Sequence, residues 1–191
     1  MDNDQPTTFV SPPNATHGAP PSLIGSSMFY DGDGDIHISG GYLAAVNASE
    51  DHHRTYSPTP GPLWTWSNNS NTWKSSTLGD FGNKNAPIHA LYAQAPEHDL
   101  VFLLNGILSN GSSETANPKM MIINTRRKEV RTVDTESVSY AAARVGGILQ
   151  YIPLLGKKGA LVLFGGATKH NNNITTDQWG NMVTRPTPSP N

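Results

Sequence analysis

The sequence contains no cysteine. A disulfide framework, a thiolate metal site and a cysteine nucleophile are therefore excluded, and the absence of cysteine is more typical of a reducing compartment. No apolar run reaches the roughly 18 residues that a transmembrane helix needs, so no membrane span is predicted. The opening stretch, MDNDQPTTFV, has neither the basic nor the apolar region of a signal peptide.

Charge is also scarce, since charged residues make up 15% of the chain and the formal net charge is -2. This balance does not indicate a nucleic acid or an anionic membrane surface as a partner. Glycine and proline are abundant, with 18 and 15 copies among 191 residues. That composition predicts many short strands joined by turns, in a chain long enough for one domain with a core.

N-glycosylation motifs argue against a location in a reducing compartment. Five Asn-x-Ser/Thr sequons occur, at Asn14, Asn47, Asn68, Asn110 and Asn173, and each is an N-glycosylation acceptor in the secretory pathway. They favour an extracellular or cell-surface protein, with a cytoplasmic location as the alternative.

Three segments of the chain share one pattern, in which an apolar run, a polar turn and a second apolar run end in a pair of small residues. The segments are SLIGSSMFYDGDGDIHISGG (22–41), IHALYAQAPEHDLVFLLNG (88–106) and VGGILQYIPLLGKKGALVLFGG (145–166). Their small pairs are Gly40-Gly41, Asn105-Gly106 and Gly165-Gly166. The short apolar runs are typical of strands rather than helices.

A second hairpin is predicted after each of the first two small pairs. The sequence PLWTWSNNSNTWKSS (62–76) carries Trp64, Trp66 and Trp73, and KMMIINTRRKEVRTVD (119–134) repeats the plan. Four strands per repeat in meander order describe a propeller blade. The stretches NASEDHHRTYSPTPG and LSNGSSETANP are interpreted as loop insertions. No third and fourth strand is predicted after Gly166, with a strand beginning at Trp179 as the alternative.

These motifs together resemble the kelch repeat, because a double glycine, a W-x-W-S strand, an Asn-rich turn and Trp73 follow one another. The likeness is to the large fungal kelch proteins related to the galactose oxidase propeller, and it covers roughly residues 22–166. The second unit departs from the pattern, since Asn105 replaces the first glycine and no tryptophan closes its last strand. The resemblance implies a protein that is secreted or anchored in the plasma membrane.

The predicted fold is all-β, a partial kelch-type β-propeller of four-stranded antiparallel blades. We expect an irregular arm over 1–21, the partial propeller over 22–180 and a disordered tail over 181–191. The propeller divides into a blade at 22–78, a blade at 86–135 and a half blade at 144–168. Two and a half blades do not close a ring of four to eight. We therefore expect a truncated chain, or one that self-associates through its open blade faces.

Two polar clusters suggest metal sites at first sight. Asp31, Asp33 and Asp35 are spaced like the first ligands of an EF-hand, but Ile36 and Tyr42 occupy the positions that need glycine and glutamate. A hairpin turn is the preferred interpretation. The segment 50–53, Glu-Asp-His-His, has no spaced partner histidine and is interpreted as a solvated loop.

The small pairs and the tryptophans each have two readings. The glycine pairs lack the context of a phosphate-binding loop, so we expect them to leave room at the end of the second strand of each repeat. The three tryptophans offer stacking surfaces for sugars, and contacts between neighbouring blades are the alternative that we favour. Strand alternation predicts that two of the three share a face.

The resemblance to the galactose oxidase propeller raises copper radical chemistry, whose cofactor includes a cysteine cross-linked to a tyrosine. The absence of cysteine excludes it here, and spacing identifies no Ser-His-Asp or paired-carboxylate arrangement. We predict a non-catalytic scaffold without a cofactor that binds a protein or a glycan. The alternatives are a fragment of a propeller enzyme and an intracellular kelch adaptor.

Overall fold

The structure, a computed structural model, describes residues 20, 23–46, 54–58, 63–76, 86–109, 114–135, 144–145, 147–168, 174–176 and 182–184. Within these ranges the chain is all-β, as predicted, with a single turn of 3₁₀ helix at Pro96–His98. None of the described residues forms a helix long and apolar enough to cross a membrane.

The strands fall into three groups along the chain. The first group is β1 Leu23–Ile24, β2 Ser27–Tyr30, β3 Ile36–Ser39, β4 Tyr42–Val46, β5 Arg54–Pro58, β6 Leu63–Ser67 and β7 Thr72–Ser76. The second is β8 Leu91–Ala95, β9 Leu100–Leu104, β10 Ile107–Ser109, β11 Glu114–Ala116, β12 Lys119–Asn124 and β13 Glu129–Asp134. The third is β14 Arg144–Val145, β15 Ile148–Ile152, β16 Ala160–Phe164, β17 Ala167–Thr168, β18 Ile174–Thr176 and β19 Met182–Thr184.

Two four-stranded antiparallel sheets dominate the structure. Sheet 1 has the strand order β2-β3-β6-β7, and sheet 2 has the equivalent order β8-β9-β12-β13. Strands β15 and β16 pair as an antiparallel hairpin, here called the end hairpin. The predicted hairpins and the expected four-stranded antiparallel sheets are therefore confirmed.

A short ladder in each repeat pairs the segment before the first hairpin with the segment after the small pair. Strand β1 pairs with β4, Ile88 bridges to Ile107, and β14 pairs with β17. In all three repeats the segment that enters the main sheet thus pairs with the segment that leaves it. These side ladders were not predicted, and β5 and β11 lie within stretches that the sequence had suggested were loops.

The end of the chain also contains short strands that the sequence did not predict. Strand β17 follows Gly166 directly, and β18 pairs with β19 in a further hairpin. Strand β19 lies inside the segment 181–191 that was expected to be a disordered tail. The strands concerned are two or three residues long, which is too short for alternation of apolar and polar residues to reveal them.

The core lies in two layers, one on each face of sheet 2. One layer joins sheet 1 to sheet 2 through buried side chains of both sheets: Phe29, Leu63, Val101, Leu103, Met121 and Ile123. The other joins sheet 2 to the end hairpin: Leu91, Ala93, Ala95, Leu104, Leu149 and Tyr151. Strand β9 contributes to both layers because its successive side chains point to opposite faces, so the sheets are stacked face to face.

Candidate functional site

A cleft of about 460 Å³ opens between sheet 1 and sheet 2, beside their hairpin turns. We call it the intersheet cleft. Phe29, Leu63 and Ile123 supply its apolar lining. Most of its polar lining comes from four segments that are distant in sequence: Asp31, Asp33, Asp35, His37, Thr65, Asp99, Asn124, Thr125, Arg126 and Lys128.

A chain of hydrogen bonds crosses sheet 1 at the cleft. His37 Nε2 lies 3.0 Å from Asp31 Oδ2, and His37 Nδ1 lies 3.0 Å from Thr65 Oγ1. A carboxylate only accepts, so Nε2 donates to Asp31, and in the neutral imidazole Nδ1 accepts from the Thr65 hydroxyl. The His37 ring also stacks on Phe29, with ring centroids 5.2 Å apart.

Asp31 is the anchor of this chain and of the turn that precedes β3. Its Oδ1 accepts the backbone N–H groups of Asp33 and Asp35, at 3.1 and 3.0 Å. Burial acts to raise the pKa of Asp31, but the hydrogen bonds from His37 and the two backbone N–H groups outweigh it and lower that pKa below its ordinary value. Asp31 therefore remains ionised in the folded protein at neutral pH.

The order hydroxyl, imidazole, carboxylate is that of a nucleophilic triad. Here the strand register accounts for it, because His37 and Thr65 are direct cross-strand partners in β3 and β6. The side chain of His37 is nearly enclosed, with 10% of its surface exposed. The arrangement is thus a tie between two strands and a turn, and its bonds are satisfied within the sheet.

The accessible charged groups of the cleft lie on both of its walls. Arg126 is 82% exposed, and its Nη1 lies 4.0 Å from Asp99 Oδ2, a distance at which an exposed pair contributes little to stability. Asp33 is exposed in the turn of sheet 1, and Lys128 is exposed in the turn between β12 and β13. Carboxylates and cations therefore face the same space.

The acidic turn does not present a converging set of metal ligands. Both carboxylate oxygens of Asp31 already accept hydrogen bonds, from two backbone N–H groups and from His37. Asp35 Oδ1 accepts the backbone N–H of Asn68 at 2.9 Å. In the part of the chain that the structure describes, no group of three histidine, aspartate or glutamate side chains is placed to hold a metal ion. The segment 50–53 lies outside the described residues.

The small pairs mark the point where the chain leaves each main sheet for its side ladder. All six residues have positive φ: Gly40, Gly41, Asn105, Gly106, Gly165 and Gly166. Two left-handed residues in succession turn the chain sharply, and glycine adopts that conformation without strain. The turn also passes close to the incoming segment, since a Cβ on Gly106 would lie 2.6 Å from the Ile88 carbonyl oxygen.

The three tryptophans lie on one face of sheet 1. Trp64 and Trp66 are two positions apart on β6, and Trp66 is the direct cross-strand partner of Trp73. The Trp66 and Trp73 rings have centroids 5.5 Å apart. This face points away from sheet 2, so all three tryptophans share a face instead of the expected two, and none belongs to the layer between the two sheets.

Among the sequons, Asn68 is described, and it is exposed in the turn between β6 and β7. The four others, Asn14, Asn47, Asn110 and Asn173, lie outside the described residues. Glycosylation of all five stays a prediction.

Sequence reasoning missed the intersheet cleft and the Asp31–His37–Thr65 tie. An aspartate before Gly-Asp-Gly indicates an Asx-type turn, so the role of Asp31 in its own turn was within reach. Nothing local links His37 to Thr65 or brings Arg126 to this space, because both depend on how the sheets pair and stack. No protein-family model matches the chain, and a search of the curated proteins finds no match.

Proposed function

We propose that this chain is a non-catalytic binding module of the kelch-type β-propeller class, secreted or displayed at a cell surface. The two equivalent strand orders, the stacked sheets and the small pair at the same point of each repeat support this class. The five sequons support the location. Fold alone does not assign a function, so the ligand is argued from the cleft.

The proposed ligand is a neutral glycan in the intersheet cleft, and the composition of that cleft carries the proposal. A volume of about 460 Å³ falls in the range of small-ligand sites, roughly 300 to 1,000 Å³. Sugar hydroxyls both donate and accept hydrogen bonds, and the cleft offers acceptors at Asp33 and Asp99 and donors at Arg126 and Lys128.

Charges of both signs line the cleft, which favours a neutral ligand over an ionic one. Asp33 and Asp99 line the same space as Arg126 and Lys128, while Asp31 and Asp35 accept hydrogen bonds from within sheet 1. An anionic sugar would meet the carboxylates, and a cationic one would meet Arg126 and Lys128. Either would bring a like-charge contact that costs free energy.

The test is calorimetric titration of the purified chain with a panel of neutral mono- to tetrasaccharides. We expect at least one to bind with a Kd in roughly the micromolar to millimolar range. Arg126→Gln and Asp33→Asn should each weaken that binding about tenfold, the loss expected for one hydrogen bond to a charged group. Arg127→Gln is the matched control, because Arg127 is exposed in the same turn and does not line the cleft.

Two results would contradict the proposal. Absence of binding across the panel would remove the glycan as ligand. Binding that Arg126→Gln and Asp33→Asn leave unchanged would place the glycan away from the cleft.

A further inference from the structure

The face of sheet 1 that points away from sheet 2 is apolar and lacks charge. Alternation and register place on it Met28, Tyr30, Ile36, Ile38, Trp64, Trp66, Trp73 and Ser75. Met28 and Tyr30 are 61% and 50% exposed. None of these positions is charged, although the solvent-facing side of an antiparallel sheet normally carries polar residues. We call this surface the tryptophan face.

The other end of the stack has a counterpart. On the end hairpin, Leu161 and Leu163 pack toward sheet 2 together with Leu149 and Tyr151. The alternate positions point outward: Ile148, Gln150, Ile152, Ala160, Val162 and Phe164. Ile148 and Phe164 are direct cross-strand partners, 64% and 60% exposed, and no charged residue occupies this outer hairpin face.

These two faces are equivalent to faces that already pack together inside the chain. Ile36 and Ile38 precede Gly41 at the same positions as Val101 and Leu103 precede Gly106, and the latter two receive sheet 1. The tryptophan face therefore corresponds to the receiving face of sheet 2.

The outer hairpin face corresponds to the other face of sheet 2, the one that packs on the end hairpin. Val162 and Phe164 precede Gly166 as Phe102 and Leu104 precede Gly106, and the latter two pack on the end hairpin. Each repeat thus offers one face to the repeat after it and receives the repeat before it on the other. The exposed ends of the stack are one face of each kind.

We propose that a second copy of this chain covers these ends, with the outer hairpin face of one copy packed on the tryptophan face of the next. The contact continues the sheet-on-sheet packing within the chain, in the same order. Because the two surfaces differ, the association is head to tail, which yields a closed ring or an open array rather than an isologous dimer. Burial of tryptophan, tyrosine and phenylalanine supplies the driving force.

The test uses one charge on each face and a mixing experiment. Wild type should form dimers or larger assemblies in light scattering coupled to size exclusion. Trp66→Asp and Phe164→Asp should each run as monomers, because either removes one half of the contact. Their equimolar mixture should recover a dimer, since Trp66→Asp retains the intact hairpin face and Phe164→Asp the intact tryptophan face.

Leu154→Asp is the control, because Leu154 is 94% exposed in the turn of the end hairpin and lies on neither face. It should assemble like wild type. Circular dichroism of each variant separates loss of association from loss of fold. If Phe164→Asp assembles like wild type while Trp66→Asp does not, the contact joins two tryptophan faces and the head-to-tail proposal is wrong. A monomeric wild type overturns it as well, as does a mixture that stays monomeric while both variants are folded.

Discussion

At the scale of single residues, the small pairs explain how a chain of short strands switches between main sheets and side ladders. Asn105 shows what the second repeat needs in place of glycine. Its φ is 57°, and its Nδ2 donates to the Asn117 carbonyl oxygen at 3.0 Å while Asn117 Nδ2 donates to the Asn105 carbonyl oxygen at 3.1 Å. Asparagine is among the non-glycine residues that tolerate this conformation. Here its amide also satisfies the backbone carbonyl of Asn117, and its own carbonyl is satisfied by the Asn117 amide.

The first prediction at this scale concerns Gly106→Ala. The φ of 84° disfavours any side chain, and the added Cβ would lie 2.6 Å from a backbone oxygen that cannot yield easily. We expect a loss of about 3 kcal/mol or more in the free energy of unfolding, measured by chemical denaturation. Gly156→Ala is the control, with a φ of 80° but no atom within 4 Å. Its cost should stay near 1 kcal/mol, and equal costs at both positions would contradict the close-approach argument.

At the scale of strands and hairpins, the sequence was sufficient wherever an element buries an apolar face. β9 was visible as DLVFLL because its side chains fill both core layers, and the hairpin around Trp66 was visible from its alternation. The side strands β5 and β11 were not, since RTYSP and ETA carry no alternation that separates them from loops. The intersheet cleft could not be predicted from the sequence either, because its lining residues come together only when the sheets stack.

The second prediction concerns the tie that Asp31 makes between its turn, β3 and β6. Because folding lowers the pKa of Asp31, its contribution to stability is present above the ordinary pKa of 3.8 and is lost as the pH falls through the lower folded value. Asp31→Asn should cost about 1 to 3 kcal/mol at pH near 7, by loss of a charge-assisted hydrogen bond. The gap between the two proteins should close at pH values well below 3.8. Urea unfolding at both pH values measures it, and a gap that persists in acid would contradict the assignment.

At the scale of the whole molecule, the stack makes sheet 2 an interior layer and leaves sheet 1 and the end hairpin as outer layers. β9 accordingly has Val101 and Leu103 with no exposed surface, whereas β16 packs one partly buried face on sheet 2 and leaves Phe164 exposed. Both runs are apolar in the sequence, as LVFLL and ALVLF, and the position of each repeat in the stack decides how much of each run is buried. Stability should therefore depend on sheet 2 more than on either end.

The last prediction tests that dependence with the same substitution at two places. Leu103→Ala removes a fully buried side chain from the layer between sheet 1 and sheet 2. It should cost about 2 to 5 kcal/mol, because the rigid sheets on either side cannot collapse into the cavity. Leu154→Ala removes a side chain that is 94% exposed, and its cost should stay within about 0.5 kcal/mol.

Thermal melts followed by circular dichroism and by tryptophan fluorescence should report one common transition for Leu103→Ala, at a lower temperature than wild type. Fluorescence is a sensitive probe of the first sheet, because three of the four tryptophans lie on it. If sheet 1 melted separately while sheet 2 kept its structure, the two probes would diverge, and the stacked layers could not be one cooperative core.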